Sequence, residues 1–147
     1  MESTDPPAIA TSLCMCASVR RAARVITQMY DAALAPSGVS APQFGLLAAI
    51  QASEGLSQTE LAVSMAIDRT TLVRNLKLME REGLIQVVPG KDRRTRGVSL
   101  TQPGREAFRR ALPFWRNVQV KVMAALGESR WQETKARLSD IETLQQL

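Results

Sequence analysis

Apolar positions at 19, 22, 23, 26, 29, 30, 33 and 34 recur three or four residues apart, the period of one helix face, and predict a first helix that Pro36 and Gly38 end. Ser40 then caps a second helix that tolerates Pro42 in its first turn. Phe44, Leu46, Leu47, Ala48 and Ile50 form its apolar arc up to about Ser53, and Gly55 stops it. Ser57 with Glu60 three residues on makes a capping box for a short helix. Asp68 caps a longer one, with Leu72, Leu76 and Met79 on one face and Gly83 as terminator. The β-prone runs from Leu84 to Pro89 and from Gly97 to Leu100 flank "GKDRRTRG" and predict a hairpin. Thr101 caps a long helix carrying Phe108, Ala111, Leu112, Trp115, Val118, Val122 and Leu126, bent near Pro113 and ended by Gly127. A last helix from about Glu128 carries Trp131, Leu138, Ile141 and Leu144.

A short helix, a brief turn and a longer helix form a helix-turn-helix, and the hairpin directly after it is a wing. The expected fold class is therefore mainly α with a small β-hairpin wing, as one domain over residues 1–147. A winged helix-turn-helix lobe covers about 40–101, with helical dimerisation segments at about 12–36 and 102–147 and a disordered-looking head before them. The terminal helices offer more apolar stripe than so small a lobe can cover, so a second subunit is expected to cover it. Hydrophobic residues at 45% with only 4% aromatics agree with helix-on-helix packing.

Charge narrows the function. Between Asp68 and Arg96, cations at 69, 74, 77, 81, 91, 93, 94 and 96 stand against acids at 68, 80, 82 and 92, so this stretch holds +4 of the formal +5. A local basic field is the footprint of nucleic-acid binding, with an anionic membrane surface as the weaker reading. The chain has no histidine, which removes the commonest general base and metal ligand, so no enzyme, cofactor or metal site is expected. An acidic "MESTDPP" start and the lack of any apolar run near ~20 residues point to a cytoplasmic chain with no signal peptide, no membrane span and reduced cysteines.

On the second helix of the pair, Arg69, Arg74 and Asn75 suit base edges, because Arg reads guanine and Asn reads adenine bidentately. Thr70, Thr71 and Lys77 suit phosphates. Ser57, Gln58 and Thr59 begin the preceding helix, whose free N–H groups make a phosphate site, although Ser57 can equally do no more than cap. Lys91, Arg93, Arg94 and Arg96 are wing-tip cations able to dock on DNA. Asp92 among them is either a turn residue bonded to its own backbone or an ion-pair partner of Arg94.

The run from "LSQTELA" through "DRTTLVRNLKLMEREGLI" to "GKDRRTRGVSLTQPG" resembles the core of MarR-type winged-helix transcriptional regulators, and nearly the whole chain fits. Asp92-Arg93-Arg94 matches the family's Asp-x-Arg wing signature, and Leu100-Thr101-Gln102-Pro103-Gly104 its Leu-Thr-x-x-Gly helix opening. The resemblance implies a homodimer held by the first and last two helices, bound to pseudo-palindromic operator DNA. It implies release by a small-molecule effector or by thiol oxidation, and the expected role is that of a repressor. It also favours the Asp92–Arg94 pair, with the guanidinium extended toward the minor groove. The competing reading from another class is a winged-helix protein–protein assembly module without DNA-binding activity.

Cys14 and Cys16 are either small apolar residues at the dimer seam or a redox sensor, with a soft-metal site such as Cu(I) last, since no third cysteine or histidine is available. Cys16 precedes Tyr30 by a spacing similar to that of the reactive cysteine and supporting tyrosine in the organic-hydroperoxide branch, but Arg20 and Ala41 replace two of that branch's tyrosines. Arg20, one turn from Cys16, could lower its pKa. A Cys14–Cys16 disulfide is disfavoured inside a helix, where i and i+2 point about 200° apart. Met29, Tyr30, Phe44, Phe114 and Trp115 are either core or the lining of an apolar effector pocket between the dimer helices and the lobe.

Overall fold

The computed structural model describes residues 13–90, 92 and 94–146. The head expected over the first twelve residues lies outside them, as do Lys91 and Arg93. Helix α1 (Met15–Leu34) leads through a 3-10 turn (Ala35–Ser37) to α2 (Ala41–Ala52), α3 (Gln58–Ser64) and α4 (Arg69–Arg81). Strands β1 (Ile85–Pro89) and β2 (Arg96–Leu100) follow, then α5 (Gln102–Leu126), α6 (Glu128–Glu142) and a terminal 3-10 turn (Thr143–Gln146).

The caps explain most of the boundaries. Ser57 and Glu60 form the expected reciprocal capping box on α3, and Ser40 forms a second one with Gln43 on α2. The Asp68 carboxylate accepts from the Thr71 N–H at the start of α4, and Thr101 accepts from Gly104 N–H at the start of α5. α5 runs unbroken through Pro113. Gly38, at φ 74°, lets the chain leave the 3-10 turn in a left-handed conformation that a side chain would strain.

β1 and β2 pair antiparallel from Ile85 opposite Leu100 to Pro89 opposite Arg96. A third backbone segment joins them: Gly55 N–H donates to Val98 O (3.2 Å), Val98 N–H to Leu56 O (2.9 Å), and Ser57 bridges Gly97. The segment entering α3 thus ties the wing to the helix-turn-helix.

The core lies inside the lobe and continues onto α5. Leu46, Leu47 and Ile50 of α2, Leu61 of α3, Leu72, Leu76 and Met79 of α4, Ile85, Val98 and Leu100 of the wing, and Ala107 and Ala111 of α5 are buried together. At about 1.5–3 kcal/mol per buried large apolar side chain, Leu72, Leu76 and Met79 hold α4 by one face and leave the opposite face to solvent. Outside the lobe the apolar stripes are covered only in part, Val118 and Val122 of α5 being buried. In α1 Leu34 alone is buried, Val25, Ile26 and Met29 are exposed, and α6 buries none of its residues.

Candidate nucleic-acid interface

Around α4, at 100° per residue, Thr70, Arg74, Lys77 and Arg81 fall on one stripe, nearly opposite Leu72, Leu76 and Met79. All four are exposed, and Arg69 is exposed at the helix start. Among the described residues the ion pairs are Arg105–Glu54 (3.2 Å) and Arg137–Asp140 (3.5 Å), so none of these cations is neutralised by a carboxylate. Arg81 was not among the sequence candidates, although the same helical spacing places it.

The two remaining α4 candidates are differently placed. Thr71 is half-buried, its hydroxyl donates to Asp68 Oδ2 (2.5 Å) and its N–H to Asp68 Oδ1 (2.9 Å). The hydroxyl proton expected to meet a phosphate is therefore engaged within the cap. These two bonds, the hydroxyl first, hold the Asp68 carboxyl below its ordinary value of 3.8, with Arg74 adding a smaller pull. Asn75, about 100° round from Arg74, is half-buried and lines a groove where α4 faces α1 and α2. It stands at the edge of the cationic stripe rather than in it.

At the start of α3, Ser57 acts as the cap: its Oγ accepts from Glu60 N–H (3.2 Å), and its own N–H donates to the Glu60 carboxylate (2.8 Å). Gln58 is half-buried and Thr59 is exposed, and Thr59 lines a groove with Ile67, Asp68 and Arg69 at the turn into α4.

In the wing, Arg94 and Arg96 are exposed. Asp92 is a turn residue, and the expected ion pair with the Arg94 guanidinium is not among those of the described residues. Instead Asp92 Oδ1 accepts from the Arg94 backbone N–H (3.1 Å), while Asp92 O accepts from Thr95 N–H and Oγ1 (2.9 Å each). The i to i+2 bond closes locally at the tip, whereas an ion pair there would have to hold a solvated arginine in one rotamer. At the wing base, Arg105 donates to Leu100 O (3.0 Å) and to Glu54 (3.2 Å), a fastening that the sequence reading did not single out.

The five candidates for one effector pocket do not come together. Phe44 stacks between Phe108 and Trp115, with centroids 5.3 and 5.6 Å away, as part of the core. Met29 and Phe114 share a cleft of about 330 Å³ with Ala33, Asn117, Val118 and Lys121. Tyr30 lines a different groove, of about 350 Å³, with Ile26, Pro42, Leu46, Met65 and Asn75. Its hydroxyl donates to Gln119 Oε1 (2.5 Å), and burial raises its pKa. The aromatic stack packs α2 against α5, and Met29 and Tyr30, consecutive on α1, point about 100° apart into different clefts.

Cys14 and Cys16 are exposed free thiols. Cys14 caps α1 in an extended conformation, φ −73° and ψ 109°, so the in-helix argument against a Cys14–Cys16 bridge does not apply. No single helix among the described residues is long and apolar enough to cross a membrane.

A two-helix motif with a free cationic stripe, followed by a basic-tipped hairpin strapped to it, defines a winged-helix DNA-binding protein. A family profile described as the MarR family matches residues 37–95. The transcriptional regulator MosR of M. tuberculosis, in a structure with DNA, is 42% identical with a TM-score of 0.79, covering 91% of this chain and 99% of that one. The transcriptional repressor CouR, bound to a 23-mer DNA duplex, is 25% identical with a TM-score of 0.78, covering 90% of this chain and 95% of that one. A Thauera aromatica protein described as a regulator for its hcr operon is 34% identical over 127 residues, 86% of this chain. The chain spans 65% of that relative's length. The chain belongs to the MarR family, whose members are DNA-binding transcriptional regulators and not enzymes.

Proposed function

We propose that the protein binds operator DNA as a homodimer and acts as a repressor. In this reading the α4 stripe enters the major groove, with Arg69 and Arg74 toward base edges, and Lys77 and Thr70 on phosphates. Gln58 and Thr59 meet the backbone beside it, and Arg94 and Arg96, with Lys91 and Arg93, follow the wing tip to the minor groove. The observation that carries this is the free cationic stripe opposite the buried face of α4, flanked by the wing-tip cations. Homodimerisation through residues 12–36 and 102–147 is supported by the exposed Val25, Ile26 and Met29 of α1, Val120 of α5 and Leu138 of α6.

Release follows one of two routes. A small, largely apolar effector with one or two hydrogen-bonding groups fits the groove lined by Tyr30, Thr27 and Asn75, whose size is at the low end for ligand sites. Oxidation of the exposed Cys14 and Cys16 is the other.

Titrating binding to the DNA upstream of the gene against salt tests the first claim. With ~6–10 phosphate contacts per dimer, affinity should fall about 10³–10⁵-fold between ~50 and ~200 mM salt. Binding that ignores salt, or no footprint on that DNA, refutes operator recognition and favours a protein–protein assembly role. Repeating the titration with peroxide on Cys14→Ser and Cys16→Ser separates the routes: identical responses from wild type and both variants exclude the thiols.

A further inference from the structure

The long helices meet the DNA-binding lobe at the bend around Ala35–Ser40, where the chain turns by 76° between Met15–Ser37 and Ala41–Ala52. Local caps do not fix that angle alone. The Asp31 carboxylate of α1 accepts the N–H of Ala41, the first residue of α2, at 2.6 Å. From α5, Arg110 Nε donates to Ser37 O at 3.1 Å. Ser37 is buried, donating its hydroxyl to Leu34 O (2.6 Å) and accepting from Val39 N–H (3.3 Å). The first turn of α2 then reaches the far end of α4, because Gln43 Nε2 donates to Glu82, the C-cap of α4, at 3.0 Å. A continuous set of polar contacts therefore runs from α1 through the start of α2 to the recognition helix.

We propose that Asp31 is a positioning residue for operator spacing: its hydrogen bond to Ala41, seconded by Arg110 on Ser37, sets the angle at which the lobe hangs from the long helices. This rests on the homodimer reading above. Two recognition helices must sit about 34–36 Å apart to meet half-sites one helical turn apart. A tilt of about 10° over an arm of about 18 Å, the length of a helix such as α2, moves its end by about 3 Å, close to one base-pair step. A single charge-assisted bond at the bend is placed to govern which spacing is read.

The test uses a duplex enriched by the wild-type protein from a random-sequence pool, resynthesised with its centre lengthened or shortened by one or two base pairs. Wild type should lose about tenfold or more in affinity per step. Asp31→Ala should lose about tenfold on the best duplex, while its penalty per step falls below about threefold. Asp31→Asn, which keeps an acceptor oxygen, should keep the wild-type ranking. Ser40→Ala weakens the cap of the same helix without touching Asp31, and should also keep it despite lower stability. Arg110→Ala is the second variant and should relax the ranking in the same direction. An Asp31→Ala protein that sediments like wild type and retains the full spacing penalty overturns the proposal, as does a Ser40→Ala protein that relaxes it equally. A wild type that sediments as a monomer and ignores spacing overturns the homodimer reading instead, so the two failures are distinct.

Discussion

Replacing Gly104 with alanine tests why the Leu-Thr-x-x-Gly run ends in glycine. A Cβ at that position would stand 1.9 Å from the Leu84 carbonyl oxygen and 2.9 Å from its carbon, where ordinary contact begins at 3.4 Å. The start of α5 would have to move off the α4–β1 junction by roughly 1.5 Å, since neither side is a flexible side-chain end. That movement strains two hydrogen bonds at the same point, Thr101 N–H to Leu84 O (3.1 Å) and Thr101 Oγ1 to Gly83 O. Overpacking costs about 1–3 kcal/mol and each weakened bond about 1 kcal/mol, against a gain of about 0.4–1 kcal/mol from a stiffer unfolded chain. The net loss should be about 2–4 kcal/mol, or about 5–12 °C in Tm for a chain of this size, read by urea denaturation and calorimetry. Gly45→Ala is the internal control. Inside α2 its Cβ would meet only Met65 Cε, at an ordinary 3.7 Å, so the variant should gain about 0.5–1 kcal/mol from helix propensity. A Gly104→Ala protein as stable as wild type, or a Gly45→Ala protein that loses as much, refutes the crowding argument.

At the wing tip, Asp92→Asn should bind DNA within about threefold of wild type, because an amide oxygen can still accept the Arg94 N–H, whereas Asp92→Ala should bind about tenfold more weakly. Anisotropy titrations decide it, and equal losses in both variants would restore the ion pair as the relevant contact. Acid should act through Asp68. Its folded carboxyl is held below 3.8, so its stabilisation is present above the unfolded pKa and is lost as pH falls through the lower folded value. Thermal melts from about pH 6 to about pH 2 should show the Tm difference between wild type and Asp68→Asn, a cap that does not titrate, fading below about pH 4; a difference constant with pH contradicts the assignment.

The elements were legible because their ends are encoded locally. Ser57 with Glu60, Asp68 and Thr101 each satisfy an N–H three residues ahead, so the sequence alone carries the geometry. The reciprocal partner of Ser40, Gln43, obeys the same rule and could have been read in the same way. What the sequence pattern does not carry is the third backbone segment of the wing. Its requirement appears only when Gly97 packs on the backbone of Gly55, whose oxygen would stand 2.6 Å from a Cβ at Gly97. The Arg105–Glu54 fastening is equally non-local, joining residues 51 apart in sequence.

The site residues divide along the same line between local and tertiary information. A helical wheel started at Thr70 gathers Arg74, Lys77 and Arg81 and sets Asn75 aside, so the placement of both Arg81 and Asn75 relative to the stripe was available from the 100° step. Asp92 also had a local solution, its bond to the i+2 amide, and the family resemblance outweighed it although a solvated ion pair at a hairpin tip has little to hold it. The aromatic residues had no such signal. Phe44 lies 64 or more residues from Phe108 and Trp115, and only their stacking turns a possible pocket lining into core. Tyr30 and Met29, consecutive on α1, sit in separate clefts, and the Tyr30 cleft, unlike the Met29 one, is bordered by α4 through Asn75. An effector there would touch the recognition helix directly, and one beside Met29 would have to act through the long helices.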